Sequence, residues 1–266
     1  MKRQIILIIN LIIISQFAVA QVSHKKTPVK HTYTKKYTHT KHRVRRIDTR
    51  PEVTLDSIKN IGCLWGIDIS HHQPFIDWDL MSNDKPDFMF IKATEGTTIQ
   101  DDKYNTYYSE ARKLGIPVGS YHFFSYQCTG KEQADKFLST LQYQSGDMLP
   151  VLDAEYTRSI PKNKAKVMKE LTSFINTVYE SLGIYPIVYC NYGFSQLYFD
   201  KDILKKCKLW IANYKAKPTC EHHLWQATNK GKLDFVKGLV DLNFLNGDQD
   251  KLKELSYPVI PPLNEF

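Results

Sequence analysis

The stretch LPVLDAEYT (149–157) decides how this chain is read. Its apolar start, Leu149 to Leu152, runs into two carboxylates, Asp153 and Glu155, one residue apart. If the apolar part is a strand, its period of two points both side chains the same way, about 6 to 7 Å apart along the chain. Paired carboxylates of this kind suit glycosidic bond chemistry: one, its pKa raised, protonates the leaving oxygen while the other stabilises positive charge at the sugar carbon. Two solvated acids at a strand end are the plain alternative, because DxE triplets are common and short motifs match by accident.

Outward from this stretch the same unit recurs: a short apolar or β-branched run, a polar residue at its end, then a helical or loop stretch. The runs fall at 66–70, 88–93, 117–123, 149–153, 186–190, 208–212, 223–226 and 240–244. Helical spacing predicts helices over 102–114, 131–143 and 163–182. The last has Val167, Leu171, Phe174, Ile175 and Val178 on one face, and Gly115 and Gly183 mark the stops of the first and third. Strands alternating with helices imply parallel pairing, and eight of them a closed barrel. The later strands are joined by segments with weaker helical signal, so the expected fold is α/β: an irregular, flattened β/α barrel of eight strands whose second half has lost helices.

Barrel enzymes keep their chemistry where strands end. Here the ends read Asp68, Lys92 with Glu95, Tyr121 with His122, Asp153 with Glu155, Tyr189 with Asn191, Trp210 with Tyr214, Gln226, and Asp241 with Asn243. Acids can catalyse, amides can meet hydroxyls, and flat rings can cover the apolar faces of sugars. Asp68 lies inside an apolar run, where an acid is costly without a partner or a task. His122 reads as a packed barrel residue, Lys92 as the partner of an acid, and Trp210 and Trp225 as either core or sugar platform.

The rest of the chain sets the context. Lys2 and Arg3, an apolar run from Ile5 to Ile14 and the small residues Ala18-Val19-Ala20 form an export signal too short to span a bilayer; cleavage after Ala20 would leave a periplasmic or extracellular protein. Residues 21–50 hold six Lys, four Arg and four His against one acid, with three Val and one Ile as their only aliphatic residues. Such a segment cannot bury enough apolar surface to offset its ordering entropy, so a disordered basic linker is expected over 21–60 and a catalytic barrel over 61–266. Of the net charge of +8, the signal carries +2 and residues 21–50 carry +9, leaving −3 on residues 51–266. The basic character thus belongs to the tail, which could give weak contact with anionic wall or membrane surfaces. Five cysteines occur, none in a zinc-like spacing. Cys207 and Cys220 precede neighbouring strands, and a barrel would bring them within reach of a disulfide. No cofactor, metal or nucleic acid is expected, and the chain is expected to act as a monomer.

GIDISHHQPFIDW (66–78), FMFIKATEG (88–96), GIPVGSYHFF (115–124), LPVLDAE (149–155), YPIVYCN (185–191), LWIANY (209–214), LWQAT (224–228) and VDLNFLNG (240–247) resemble, in order, the strand motifs of glycoside hydrolase family 25, the N-acetylmuramidase lysozymes, autolysins and endolysins. The resemblance implies a flattened barrel that cuts the β-1,4 bond between N-acetylmuramic acid and N-acetylglucosamine in peptidoglycan glycan strands. It makes Glu155 the general acid/base, Asp153 its neighbouring carboxylate and Asp68 the acid on the first strand. Asp241, Lys92, Tyr121, Tyr189, Gln226 and Tyr214 would line the saccharide groove. Pro74 and Phe75 follow Gln73 where relatives often have Gly, so the first loop departs from the pattern. Two other readings stay open: a chitinase-like N-acetylglucosaminidase, whose DxE ends a longer acidic run that Leu149 and Val151 interrupt here, and a catalytically silent wall-binding barrel.

Overall fold

The computed structural model describes residues 50–258, apart from 55, 58, 59, 158, 159, 199 and 200; the expected export segment and the linker up to residue 49 lie outside the described residues. Among the described residues ten strands occur in chain order: β1 (Val53–Thr54), β2 (Trp65–Ile69), β3 (Phe88–Glu95), β4 (Ile99–Gln100), β5 (Val118–Phe123), β6 (Val151–Asp153), β7 (Ile187–Asn191), β8 (Leu209–Ala212), β9 (Leu224–Lys232) and β10 (Val240–Leu245). Eight of them close a barrel in the order β9-β10-β2-β3-β5-β6-β7-β8, with β8 pairing back onto β9. The two short additions sit outside this ring, β1 on β9 and β4 on β3.

Helices α1 (Trp78–Met81), α2 (Tyr104–Lys113), α3 (Gly130–Thr140) and α4 (Lys164–Leu182) fill the early crossovers; α5 (Tyr192–Tyr198) and α6 (Lys201–Lys206) follow β7, and α7 (Gln249–Glu254) follows β10. Among the described residues no helix joins β8 to β9 or β9 to β10, which is the loss expected for the second half. The caps follow from sequence. The Thr129 hydroxyl accepts from the Glu132 amide at the start of α3, Asn163 does the same for Lys166 at α4, and Gly183 ends α4 at φ 71°.

One expectation is corrected. All-parallel pairing fails at β10, which runs antiparallel to both β9 and β2. The short link from β9 to β10 has no crossover helix to bring the chain back to the same end, so the strand must return in the opposite direction. Its N-terminal end therefore lies at the mouth where the other strands end, and Asp241 pairs across from Asp68. The folded body also reaches further back than residue 61, since Val53 and Thr54 pair with Gly231 and Lys232.

Strand periodicity sorts the side chains into two layers of packing. Outward positions such as Met89, Ile91, Leu152, Val188 and Ile211 pack beneath the helices, with Val167, Leu171 and Phe174 of α4 in the same cluster. Inward positions make a second cluster: Phe88, Phe90, Val151, Ile187, Trp210, Leu224 and Leu245. Gly66 faces this interior, and a Cβ there would stand 2.6 Å from the Phe88 carbonyl oxygen. The inner cluster fills the lower half of the barrel. One step further along each strand the inward residues become polar.

Candidate active site

Those next inward positions are Asp68 on β2, Lys92 on β3, Tyr121 on β5, Asp153 on β6, Tyr189 on β7, Gln226 on β9 and Asp241 on β10. With Glu155 just past β6 and Tyr214 past β8, they line a single cleft of about 320 Å³ at the barrel mouth, over the Trp210 ring. All nine residues singled out from sequence are thus brought together. Ser70, His72, Phe123 and Asn229 complete the wall.

Beneath the cleft runs one connected hydrogen-bond network. Asp68 Oδ2 accepts from Gln226 Nε2 at 2.9 Å and from Asn243 Nδ2 at 2.8 Å. The Tyr189 and Tyr214 hydroxyls both donate to Gln226 Oε1 at 2.7 Å, which fills that oxygen's lone pairs and turns the amide nitrogen towards Asp68. Trp210 Nε1 donates to Asn243 Oδ1 at 2.9 Å and orients the second amide in the same way. The Trp210 ring stacks on Phe90 at 4.5 Å and meets Tyr189 edge-on at 4.7 Å, so the apolar floor holds the polar layer in place. Asn243 is a hub that sequence reasoning left among the strand-end residues without a role. Its signal was available, because it shares the inward face of β10 with Asp241.

Four carboxylates share this space, and burial raises all of them. Asp68 is pushed up to about 6 by desolvation, with Glu155 adding to the rise and the amides of Asn243 and Gln226 opposing it. Asp241 is pushed up to about 9, first by desolvation and then by the neighbouring Asp68. The Asp68–Asp241 pair therefore favours keeping one proton at neutral pH, with Asp241 the more strongly raised. Asp153 is raised well above the usual carboxylate range by desolvation, then by Glu155 and Asp68, against the pull of Lys92. Its Oδ1 is buried and has no hydrogen-bond donor. Glu155 is raised by desolvation, while Tyr189 and Lys92 pull it down.

Lys92 is itself held by Glu95, Nζ to Oε2 at 2.6 Å, so the sequence pair forms at the rim. His122 is a packed residue: it is buried, hydrogen-bonded to Thr94 at 2.7 Å and Gln133 at 3.2 Å, and burial brings its pKa down to about 4. Trp225 faces outward, its Nε1 donating to the Asn213 carbonyl, and is no part of the cleft. The expected Cys207–Cys220 disulfide is absent, since all five cysteines are free thiols. Cys207 is buried, and Cys220 lies near enough to Cys190 to raise its thiol. One group with metal-ligand chemistry, His71, Asp101 and Asp102, occurs among the described residues. There Asp101 is already committed to the backbone amides of His71 and Lys103.

A barrel whose mouth gathers four carboxylates, two amides and several phenols over an aromatic floor is the architecture of an enzyme acting on sugars. Residues 67–236 match the family described as glycosyl hydrolases family 25. The chain is 30% identical over 201 residues to the protein YegX of Escherichia coli strain K12, covering 71% of each. It is 30% identical over 207 residues to lysozyme M1 of Streptomyces globisporus, covering 72% of this chain and 70% of the lysozyme. A family 25 glycosyl hydrolase structure from Bacillus anthracis superposes with a TM-score of 0.67 at 30% identity, covering 73% of this chain and 93% of the other. The chain belongs to glycoside hydrolase family 25.

Proposed function

We propose that this protein is an N-acetylmuramidase that hydrolyses the β-1,4 bond between N-acetylmuramic acid and N-acetylglucosamine in peptidoglycan, with net retention and with the substrate's own 2-acetamido group as the internal nucleophile. The names of its relatives, lysozyme M1 and the N,O-diacetylmuramidase of Chalaropsis among them, support the substrate. The observation that carries the mechanism is the Asp153 carboxylate in the cleft wall, whose oxygens accept no hydrogen bond from the described residues. An acetamido N–H is the group such an oxygen lacks.

The proton logic follows. Without substrate, burial and like charge favour a proton on the Asp153–Glu155 pair, with Asp153 the more strongly raised. A substrate N–H donated to the Asp153 carboxylate favours its ionised form and leaves the proton to Glu155. Glu155 then protonates the glycosidic oxygen as the acetamido carbonyl oxygen attacks the sugar carbon, and Asp153 steadies the positive charge on the ring that forms. Water opens that ring from the other face, passing its proton to Glu155, so two inversions give retention. The raised state of Glu155 comes from its own burial; the neighbouring acids act chiefly on Asp153. Asp68, ionised and held by two amides, and Asp241 tune the charge of the cleft. Lys92, Tyr121, Tyr189, Gln226 and Tyr214 line the saccharide path.

The site is proposed to work outside the cytoplasm, after removal of residues 1–20, as a monomer whose basic segment touches anionic surfaces. Digestion of purified peptidoglycan followed by mass analysis and anomer-resolved NMR tests the whole reading. A muramidase releases fragments ending in reducing N-acetylmuramic acid, first in the β form. Fragments ending in N-acetylglucosamine would favour the chitinase-like alternative, and binding without release the silent barrel.

A further inference from the structure

The catalytic cleft opens sideways into a larger cavity of about 880 Å³ that shares Glu155, Tyr189 and Tyr214 with it. This side pocket differs in character from the four-acid cleft. Tyr156 and Tyr192 present exposed rings, Asn191 and Asn213 supply amides, and the two charged residues besides Glu155 are both cations, Arg50 and Lys215. Arg50 lies upstream of the segment that matches the family. At the rim its guanidinium lies over the Tyr214 ring at 4.6 Å, its Nη2 donates to Asn229 Oδ1 at 2.9 Å, and its carbonyl accepts from Lys230 Nζ at 2.8 Å. Pairing of β1 with the outer end of β9 fixes the chain that delivers it.

We propose that Arg50, with Lys215, reads a carboxylate on the glycan as it lies beyond Glu155, making the segment before the barrel a specificity-determining wall of the groove. This inference rests on the muramidase reading. Charge carries it. With one proton on each of the Asp68–Asp241 and Asp153–Glu155 pairs and Lys92 already held by Glu95, the cleft keeps a net negative charge, so a substrate bearing carboxylates gains from a further cation beside it. Arg suits the task because its planar fork meets carboxylates bidentately and stacks on aromatic rings, and the Tyr214 contact sets that plane. Muramyl glycans offer such a carboxylate from two sources: the lactyl ether where the stem peptide is absent, or the stem peptide itself.

The test compares kcat and KM of the full mature chain on three soluble glycans at low salt: peptide-bearing, peptide-stripped with free lactyl carboxylates, and stripped with those carboxylates capped as methylamides. Arg50→Gln is expected to lower the preference for carboxylate-bearing over capped glycan about tenfold, through KM, and Arg50→Lys to restore part of it. Loss of preference on the stripped glycan assigns the lactyl group; loss on the peptide-bearing one assigns the stem. An unchanged preference in Arg50→Gln on both, or an equal loss on all three glycans, overturns the inference and leaves the muramidase reading intact. Failure of the unmutated protein to cut any of them overturns that reading, and this one with it.

Discussion

Asn243→Ala isolates the amide network from the reacting acids. Asn243 Nδ2 is one of two amide donors on Asp68 Oδ2, and both hold down a carboxyl that burial raises to about 6. A hydrogen bond to a charged acceptor contributes about 1.5 to 3 kcal/mol, and 1.36 kcal/mol corresponds to one pKa unit. Losing the bond therefore raises Asp68 by about 1 to 2 units. In the proposed mechanism Asp68 acts as an anion, so a raised pKa pushes the acid limb of the pH–rate profile towards higher pH. For a one-unit shift, the ratio of variant to wild-type kcat/KM falls to about one tenth well below pH 6 and climbs towards 1 above about pH 8. The variant also leaves Trp210 Nε1 without its acceptor, which costs stability, so thermal unfolding fixes an assay temperature at which both proteins are folded. A ratio that stays constant across pH would refute the reasoning, because the loss would then act through packing and not through the charge of Asp68.

Glu155→Gln is expected to lower turnover about 10²- to 10⁴-fold while binding of wall fragments, measured by calorimetry, persists; Asp153→Asn is expected to be nearly as damaging, and a covalent sugar ester on Asp153 would contradict its role. Asp241→Asn should raise the melting temperature relative to the parent by an amount that grows with pH. The folded pKa of about 9 lies above the unfolded carboxylate value, so wild-type stability is fully present at acid pH and lost as pH rises towards 9. A difference in melting temperature that is flat from pH 4 to 9 would count against the buried, protonated acid. Deleting residues 21–49, which spares Arg50, should leave turnover on soluble fragments unchanged and weaken sedimentation with whole walls at low but not high salt.

The barrel was legible because each strand announces itself locally. An apolar run four to six residues long ends in a polar residue, and the inward face of that run changes from Phe88, Phe90 and Val151 to Lys92 and Asp153 within two positions. Pairing direction is not local. Nothing within VDLNFL distinguishes a parallel from an antiparallel strand, so β10 was placed correctly in the ring and wrongly in sense. Asp241 survived that error, since reversing the strand brings its first residues to the mouth in place of its last. Arg50 marks the opposite limit. Within the sequence it is one cation among ten in a segment that reads as solvent-loving, and only the pairing of two residues with the outer end of β9 turns it towards Tyr214. Patterning at period two can name the residues that a barrel points inward. What approaches the mouth from outside depends on chain paths that no periodicity records, and such groups distinguish one substrate of a shared chemistry from another.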